Sequence, residues 1–337
     1  MNSEPATQPA ALYSLRRVLM NLYVAMTGAY GLSVSGFLLL RALVGESSKI
    51  VTLFNNYIHL LLIPAIVLLP LSLLLRRPRL ALTQAAPAAV FLATYGLMFW
   101  PRVPQIAPDK TRISLLSYNL NKNNASADAV IAIIRDANAD VVALQELNPV
   151  LAAAFDTELA DVYPYRAFHP DESYPGQGIM SRYPIHDDSY WKINLGHQRA
   201  QIDVNGSTIT LYNTHPVHPF IREHGFFDPA LRTAEIEDVL ARAAHDSTPI
   251  LIAGDFNMTD QTGDYQRIAA QFGDSYREVG WGLGFSFPDL GQQILLARID
   301  YVFHSRDFQA VEARVWPTSG GSDHRPLFVT LAYGAGL

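Results

Sequence analysis

Eight polar side chains stand where apolar runs stop. Asn119 follows Ser114-Leu-Leu-Ser-Tyr118, and Glu146 follows Val141-Val-Ala-Leu-Gln145. His215 follows Leu211-Tyr-Asn-Thr214, and Asp255 and Asn257 follow Ile250-Leu-Ile-Ala-Gly254. Asp300 follows Ala297-Arg-Ile299, and Asp323 and His324 precede the run that begins at Leu327. Such a set suits phosphoester cleavage. A hard cation takes oxygen ligands, which Glu146 and Asn119 offer. A water nucleophile takes a base or orienter, a role for a His–Asp pair or a buried Asp. Charge building on phosphoryl oxygens is met by donors such as Asn amides or protonated His.

Each of these residues also has an ordinary reading. Asn after a strand is a common turn residue, Glu146 could be a solvated strand end, Asp255-Phe-Asn257 an Asx turn, and Asp323-His324 a loop cap. Their order and context together argue for chemistry. A zinc hydrolase is the rival metal enzyme, but zinc sites gather several histidines at close helical spacing. No such pair occurs here, and His215 and His218 sit beside prolines. With no cysteine in the 337 residues, thiolate zinc sites, thiol nucleophiles and disulfides are excluded. Arg199 is open to two readings, a phosphate contact or a salt bridge. His218 reads as a loop histidine, and Asp187, Asp188 and the other seven histidines have no expected catalytic part.

The elements that position the eight residues alternate between strand and helix. Strands are expected at Ile113–Leu120, Asp140–Glu146, up to Ser181, Pro249–Ala253, Arg298–His304 and Leu327–Ala332, and helices at Ser126–Ala137 and Leu231–Ala244. Arg199–Val204 and Thr208–Asn213 flank Asn205-Gly206, a strong hairpin signal. Hairpins mixed with strand–helix units point to an α/β domain with mixed rather than purely parallel sheets.

The front of the chain differs. Up to Thr111, nine Lys+Arg face three Asp+Glu, a net of +6, while from Arg112 onward 16 face 28, a net of −12. Val18–Leu40, Ile50–Leu75 and Leu80–Trp100 are apolar runs of about twenty residues or more, the length that crosses a bilayer core. The second is interrupted by Asn55, Asn56 and His59, which read as groups near a membrane face or bonded between helices. Pro64, Pro70 and Pro87 fall inside the runs, where membrane helices tolerate them. The expected division is a tail (1–17), a membrane region with three transmembrane helices (18–100), a proline-containing linker (101–111) and a soluble domain (112–337). Arg16 and Arg17, with Arg76, Arg77 and Arg79, place the N-terminus and the second connection in the cytoplasm, so three crossings leave the domain outside. The chain is thus expected to be a multi-pass membrane protein with an extracytoplasmic catalytic domain.

Seven segments in order carry a resemblance. Ser117-Tyr-Asn119, Leu144-Gln-Glu146, Gly178-Ile-Met-Ser-Arg-Tyr-Pro184, Asn213-Thr-His215, Gly254-Asp-Phe-Asn257, Arg298-Ile-Asp-Tyr301 and Ser322-Asp-His-Arg-Pro326 are similar to the endonuclease/exonuclease/phosphatase family, the DNase-I-like fold. The resemblance spans roughly 112–333. It implies a four-layered sandwich of two mixed β-sheets flanked by helices, with Mg²⁺ (or Mn²⁺) as cofactor. Glu146 becomes the principal metal ligand with Asn119 beside it and Asp323 nearby. Asp255 and Asn257 position water and phosphate, and His215 contacts the phosphate or assists the leaving group. Asp300 orients His324. Whether Asp255 or His324 takes the proton stays open.

The reaction class is clearer than the substrate. Nucleic-acid enzymes need a cationic surface, whereas this domain is acidic and shows no basic stripe. The balance favours a phosphoester substrate at the membrane, such as a lipid head group. An extracytoplasmic nuclease acting on DNA and a non-catalytic membrane-tethered binding module are the alternatives. Against the last, no expected catalytic position is missing.

Overall fold

The computed structural model describes residues 8–100, 102–219, 227–289 and 296–334. Pro101, within the expected linker, lies outside them, as do the first seven residues of the expected tail. The chain divides after Leu97 into two units. The expected linker put this boundary some residues later. It falls earlier because the Met98 carbonyl accepts from Gly282 and Arg102 donates to the carbonyls of Arg277 and Glu278, so the segment is already held by the second unit.

The first unit is helical. Helix α1 spans Gln8–Val44, α2 Lys49–Asn55, α3 Ile58–Leu74 and α4 Pro78–Tyr95. Arg16 and Arg17 lie inside α1 rather than ahead of it, flanked by helix formers such as Ala10, Ala11, Leu12, Leu15, Leu19 and Met20. The second apolar run is not one straight helix: α2 and α3 meet at a bend of 62°. Its cause is polar. Asn56 turns its Nδ2 back to the Thr52 carbonyl (2.8 Å), and Asn55 Nδ2 donates to Glu46 Oε1 (2.8 Å). Pro64 and Pro70 leave α3 unbroken. Bonds between helices close the unit: Gln84 Nε2 donates to the Thr27 carbonyl (2.9 Å), and Tyr30 Oη to that of Leu61 (2.6 Å). Among the described residues two helices, Leu15–Ser47 and Pro78–Phe99, are long and apolar enough to cross a membrane, and the bent pair makes a third if it counts as one span.

The second unit holds two six-stranded sheets. In chain order the strands are β1 Thr111–Asn119, β2 Val141–Gln145, β3 Tyr165–His169, β4 Gln177–Ser181, β5 Ile185–Lys192, β6 Gly196–Val204, β7 Ser207–Thr214, β8 Ile250–Asp255, β9 Gly273–Asp274, β10 Asp300–His304, β11 Phe308–Val315 and β12 Leu327–Tyr333. One sheet runs β11-β12-β1-β2-β4-β3, the other β5-β6-β7-β8-β10-β9. Each has one parallel pair at its centre, β1 with β2 and β7 with β8, and is otherwise antiparallel. The hairpin turn is where its residues require it, with Asn205 and Gly206 at φ 54° and 85°.

Side chains alternate along these strands. Leu116 and Tyr118 of β1, with Val142 and Leu144 of β2, pack against helices α5 (Ala127–Ala137) and α6 (Pro149–Glu158). Tyr212, Ile250 and Ile252 pack against α7 (Ala230–Ala243) and α8 (Gly263–Ala269). The alternate set, Leu115, Ser117 and Asn119 on β1 and Leu251, Ala253 and Asp255 on β8, is left for the space between the sheets. There Gln145 Nε2 donates to Asn213 Oδ1 (2.7 Å), joining one sheet to the other. The result is the expected helix–sheet–sheet–helix sandwich.

Candidate active site

The C-terminal ends of parallel strands open onto one side of an α/β sheet, where ligands bind. Both parallel pairs deliver polar groups there. Asn119 ends β1, Glu146 follows β2, His215 follows β7 and Asp255 ends β8. Asp300 begins antiparallel β10 directly opposite Asp255, and His324 lies just ahead of β12. All are buried. Gly254 lets β7 and β8 close up at this point. Its φ is 148°, and a Cβ there would meet the Thr214 carbonyl oxygen at 1.8 Å.

One atom is the meeting point. Asp255 Oδ2 accepts from Asn119 Nδ2 at 3.0 Å and lies 3.5 Å from both His215 Nε2 and His324 Nε2. Its partner Oδ1 accepts from the Asn257 amide (2.9 Å). Burial, then repulsion from Asp300, pushes the Asp255 carboxyl up to about 6 against the pull of the two imidazoles. His324 Nδ1 is 2.9 Å from Asp300 Oδ2, which also accepts from Ser286 Oγ at 2.6 Å. Burial opposes charge on the His324 ring, but the Asp300 and Asp255 carboxylates outweigh it and push the ring up to about 10.

Glu146 lies at the other side of Asn119. Its Oε1 accepts from Asn119 Nδ2 (3.1 Å) and its Oε2 from the Lys122 amide (2.9 Å), and His215 Nε2 is 3.8 Å from Oε1. Asp323 Oδ1 accepts from Asn121 Nδ2 (2.9 Å). Asn119 Oδ1 is held by the Asn121 amide (3.0 Å), so in this arrangement its side chain presents a donor to the carboxylates. Hard oxygen donors therefore cluster here, and the set fits a hard divalent cation better than a thiophilic one. Asp255, Asp300 and His324 form a second possible ligand group, with donor atoms within 4.8 Å of one another. Their mutual bonds make them equally a chain for holding a proton.

Asn257 turns away. Its Nδ2 donates to the Pro216 carbonyl (3.0 Å), bracing the loop that carries His215. Arg199 is committed to salt bridges with Asp246 and, at 2.7 Å, with Asp187. His218 is exposed in its loop, and Asp188 pairs with His169 at 2.7 Å.

Several supporting residues escaped the sequence reading. Ser286 fixes Asp300. Asn121 links the Glu146 and Asp323 sides. Helix α7 contributes two buried charges one turn apart. Arg232 donates to the Asn257 carbonyl (2.5 Å) and Asp264 (2.8 Å), and Glu235 accepts from the amides of Asn194, Leu195 and Val217. A spacing of three beside apolar Ile236 and Val239 was the available signal that both face inward. Three site residues, Asn121, Glu146 and Asn257, take positive φ of 50–58° without being glycine.

A sequence profile of the Endonuclease/Exonuclease/phosphatase family matches residues 116–324, more than half of the chain. The chain belongs to this family. As a family member it is a metal-dependent hydrolase of phosphoester bonds. Solved structures share its fold. Humanized D. rerio TDP2 aligns with 18% identity and a TM-score of 0.55, covering 65% of this chain and 98% of that one. An endonuclease/exonuclease/phosphatase from Bacteroides vulgatus gives 18% and 0.56, covering 67% and 100%. A Bacteroides thetaiotaomicron mannosyl-6-phosphatase gives 18% and 0.53, covering 66% and 100%. At such identity the likeness speaks for the fold alone. No curated protein matches the sequence significantly.

Proposed function

We propose that this chain is a membrane-anchored, Mg²⁺-dependent phosphoesterase whose catalytic unit faces the extracytoplasmic side and hydrolyses a phosphoester borne by a membrane lipid. The observation that carries the chemistry is the convergence on Asp255 Oδ2 of Asn119, His215 and the Asp300–His324 pair. Glu146, with Asn119 and Asp323 near it, would hold the cation, which supplies positive charge beside the phosphoryl oxygens. Asp255 accepts the proton of the attacking water. His324, kept charged and oriented by Asp300, donates to a phosphoryl oxygen, and His215 serves the phosphate or the leaving group from the opposite side. Asn257 holds the loop that carries His215 and presents its amide to Asp255.

The lipid reading is supported by the apolar helices and by the acidic balance of the catalytic part, which disfavours a long polyanion. A substrate panel tests it. The full chain in detergent is offered sphingomyelin, phosphoinositides, a sugar phosphate, plasmid DNA and bis-p-nitrophenyl phosphate, each with Mg²⁺ and with EDTA. Release of a lipid head group only with Mg²⁺ is expected. Cleavage of DNA in preference to every lipid would replace the lipid reading with the nuclease one, and loss of the generic diesterase activity in both arms would remove the enzyme reading.

A further inference from the structure

Large apolar side chains are exposed at the start of the catalytic unit and at Trp281, which touches it. Trp281 is 68% exposed, Trp100 72%, Val103 89% and Phe99 44%. The Phe99 and Trp281 rings meet edge to face with centroids 6.1 Å apart. A cluster of this kind on a soluble surface marks a contact site. It is also held in place. The Gly282 amide donates to the Met98 carbonyl (2.7 Å), Tyr276 Oη to the Trp281 carbonyl (2.6 Å), and Arg102 to the carbonyls of Arg277 and Glu278 at 2.5 and 2.9 Å.

What covers it follows from the chain itself. Phe99 is the last residue of the apolar span Pro78–Phe99. A bilayer that takes up this span has its polar edge at Phe99 and Trp100, and indole rings favour that level. Trp281, in ring contact with Phe99, shares the same depth. We infer that Trp281, Trp100 and Val103 form a bilayer contact belonging to the catalytic unit, set in the head-group layer of the membrane that holds the apolar helices. This rests on the membrane part of the function proposed above and deepens it.

The loop from Trp281 leads straight to the catalytic pair. Five residues on, Ser286 donates to Asp300, and the Phe287 ring lies 4.7 Å from that of His324. Five residues reach at most roughly 18 Å, so the pair stays close to the head-group layer. Gly282 and Gly284, at φ 75° and 65°, shape the turn between the two ends. A lipid-borne phosphoester is presented to such a site by the contact itself.

The absence of cysteine makes the test direct. Trp281→Cys and, separately, Val103→Cys in the full chain are labelled with an environment-sensitive fluorophore. They are then reconstituted in phosphatidylcholine–phosphatidylglycerol vesicles containing a lipid with a nitroxide near the head group. Ser207→Cys is the control. It begins β7, about 23 Å along that strand from the His215 end. Labels at 281 and 103 are expected to shift to the blue and lose at least half their emission to the lipid nitroxide, while the label at 207 responds only to aqueous iodide. Circular dichroism checks that each variant is folded, and either patch position suffices. If labels at 281 and 103 respond to iodide as the control does while carbonate fails to extract the chain, the bilayer contact is refuted and the anchor stands. If carbonate extracts the chain, the membrane reading and the contact fall together.

Discussion

Asp300 Oδ2 sits 2.9 Å from His324 Nδ1, and the far nitrogen of the same ring faces Asp255 Oδ2 at 3.5 Å. The imidazole is thus held at one end and aimed at the other. Groups that work as one unit give non-additive losses. His324→Ala and Asp300→Asn are each expected to lower kcat by about 10²–10⁴-fold, with the double variant only slightly worse. Effects that multiply in the double variant would show that the two residues act independently, and thermal unfolding measured alongside separates lost chemistry from lost stability.

Glu146 tests the cation. Among the described residues its carboxylate accepts from the Asn119 side-chain amide and the Lys122 backbone amide, both neutral N–H donors. Glu146→Gln keeps its shape and removes the charge. A loss on the order of 10³-fold is expected, with EDTA abolishing wild-type activity and Mg²⁺ or Mn²⁺ restoring it. Full turnover in EDTA would contradict an oxygen-ligated metal site.

Arg232 tests the support beneath the site. Its guanidinium is buried against Asp264 and the Asn257 carbonyl. Arg232→Ala leaves the Asp264 carboxylate deprived of its buried partner and should cost about 3–5 kcal/mol. A melting temperature within a degree or two of wild type would mean that the pair contributes little.

Glu235 gives a pH signature. Burial raises its pKa, but the His197 ring and the Leu195 and Val217 amides outweigh that and leave the group below its ordinary value. A depressed acid stabilises the fold fully above the unfolded pKa of about 4.3 and loses that contribution as pH falls through the folded value. The stability gap between wild type and Glu235→Gln should therefore be widest near pH 7 and narrow below about pH 4.3. A gap independent of pH would remove the carboxylate's charge from the account.

The arginines of the first unit fix a further expectation. A phosphatase-type reporter joined after Leu337 is expected to be active, because the proposed topology, read from Arg16, Arg17, Arg76, Arg77 and Arg79, exports that end. Signal from a cytoplasm-only reporter at the same junction would reverse the assignment.

Legibility varied with burial. β1, β2, β7, β8 and β10 are buried along almost their whole length, and their apolar runs were plain in the sequence. Edge strand β5 escaped because His186-Asp-Asp-Ser189 reads as a loop, and β3 because its side chains are only partly covered. The short helices α8 and α9 (Ser275–Val279) are held by the caps Thr262 and Asp274 rather than by an apolar period. At the site, residues that end strands could be found from what precedes them. Ser286 and Asn121 could not. Each matters through a partner far along the chain, Asp300 in one case and Asp323 in the other, and no local pattern encodes such a meeting.

The left-handed turns at Asn121, Glu146 and Asn257 have a consequence for how this enzyme drifts. A side chain in that conformation costs roughly 1–2 kcal/mol, less for Asn than for Glu, and glycine escapes most of the penalty. Glycine would relieve the backbone at position 146, where glutamate is the least suited of the three residues to a left-handed turn. With Glu146 in its proposed metal-holding role, relief of the backbone and turnover pull in opposite directions at that residue, and Glu146→Gly is expected to ease the turn while ending phosphoester cleavage.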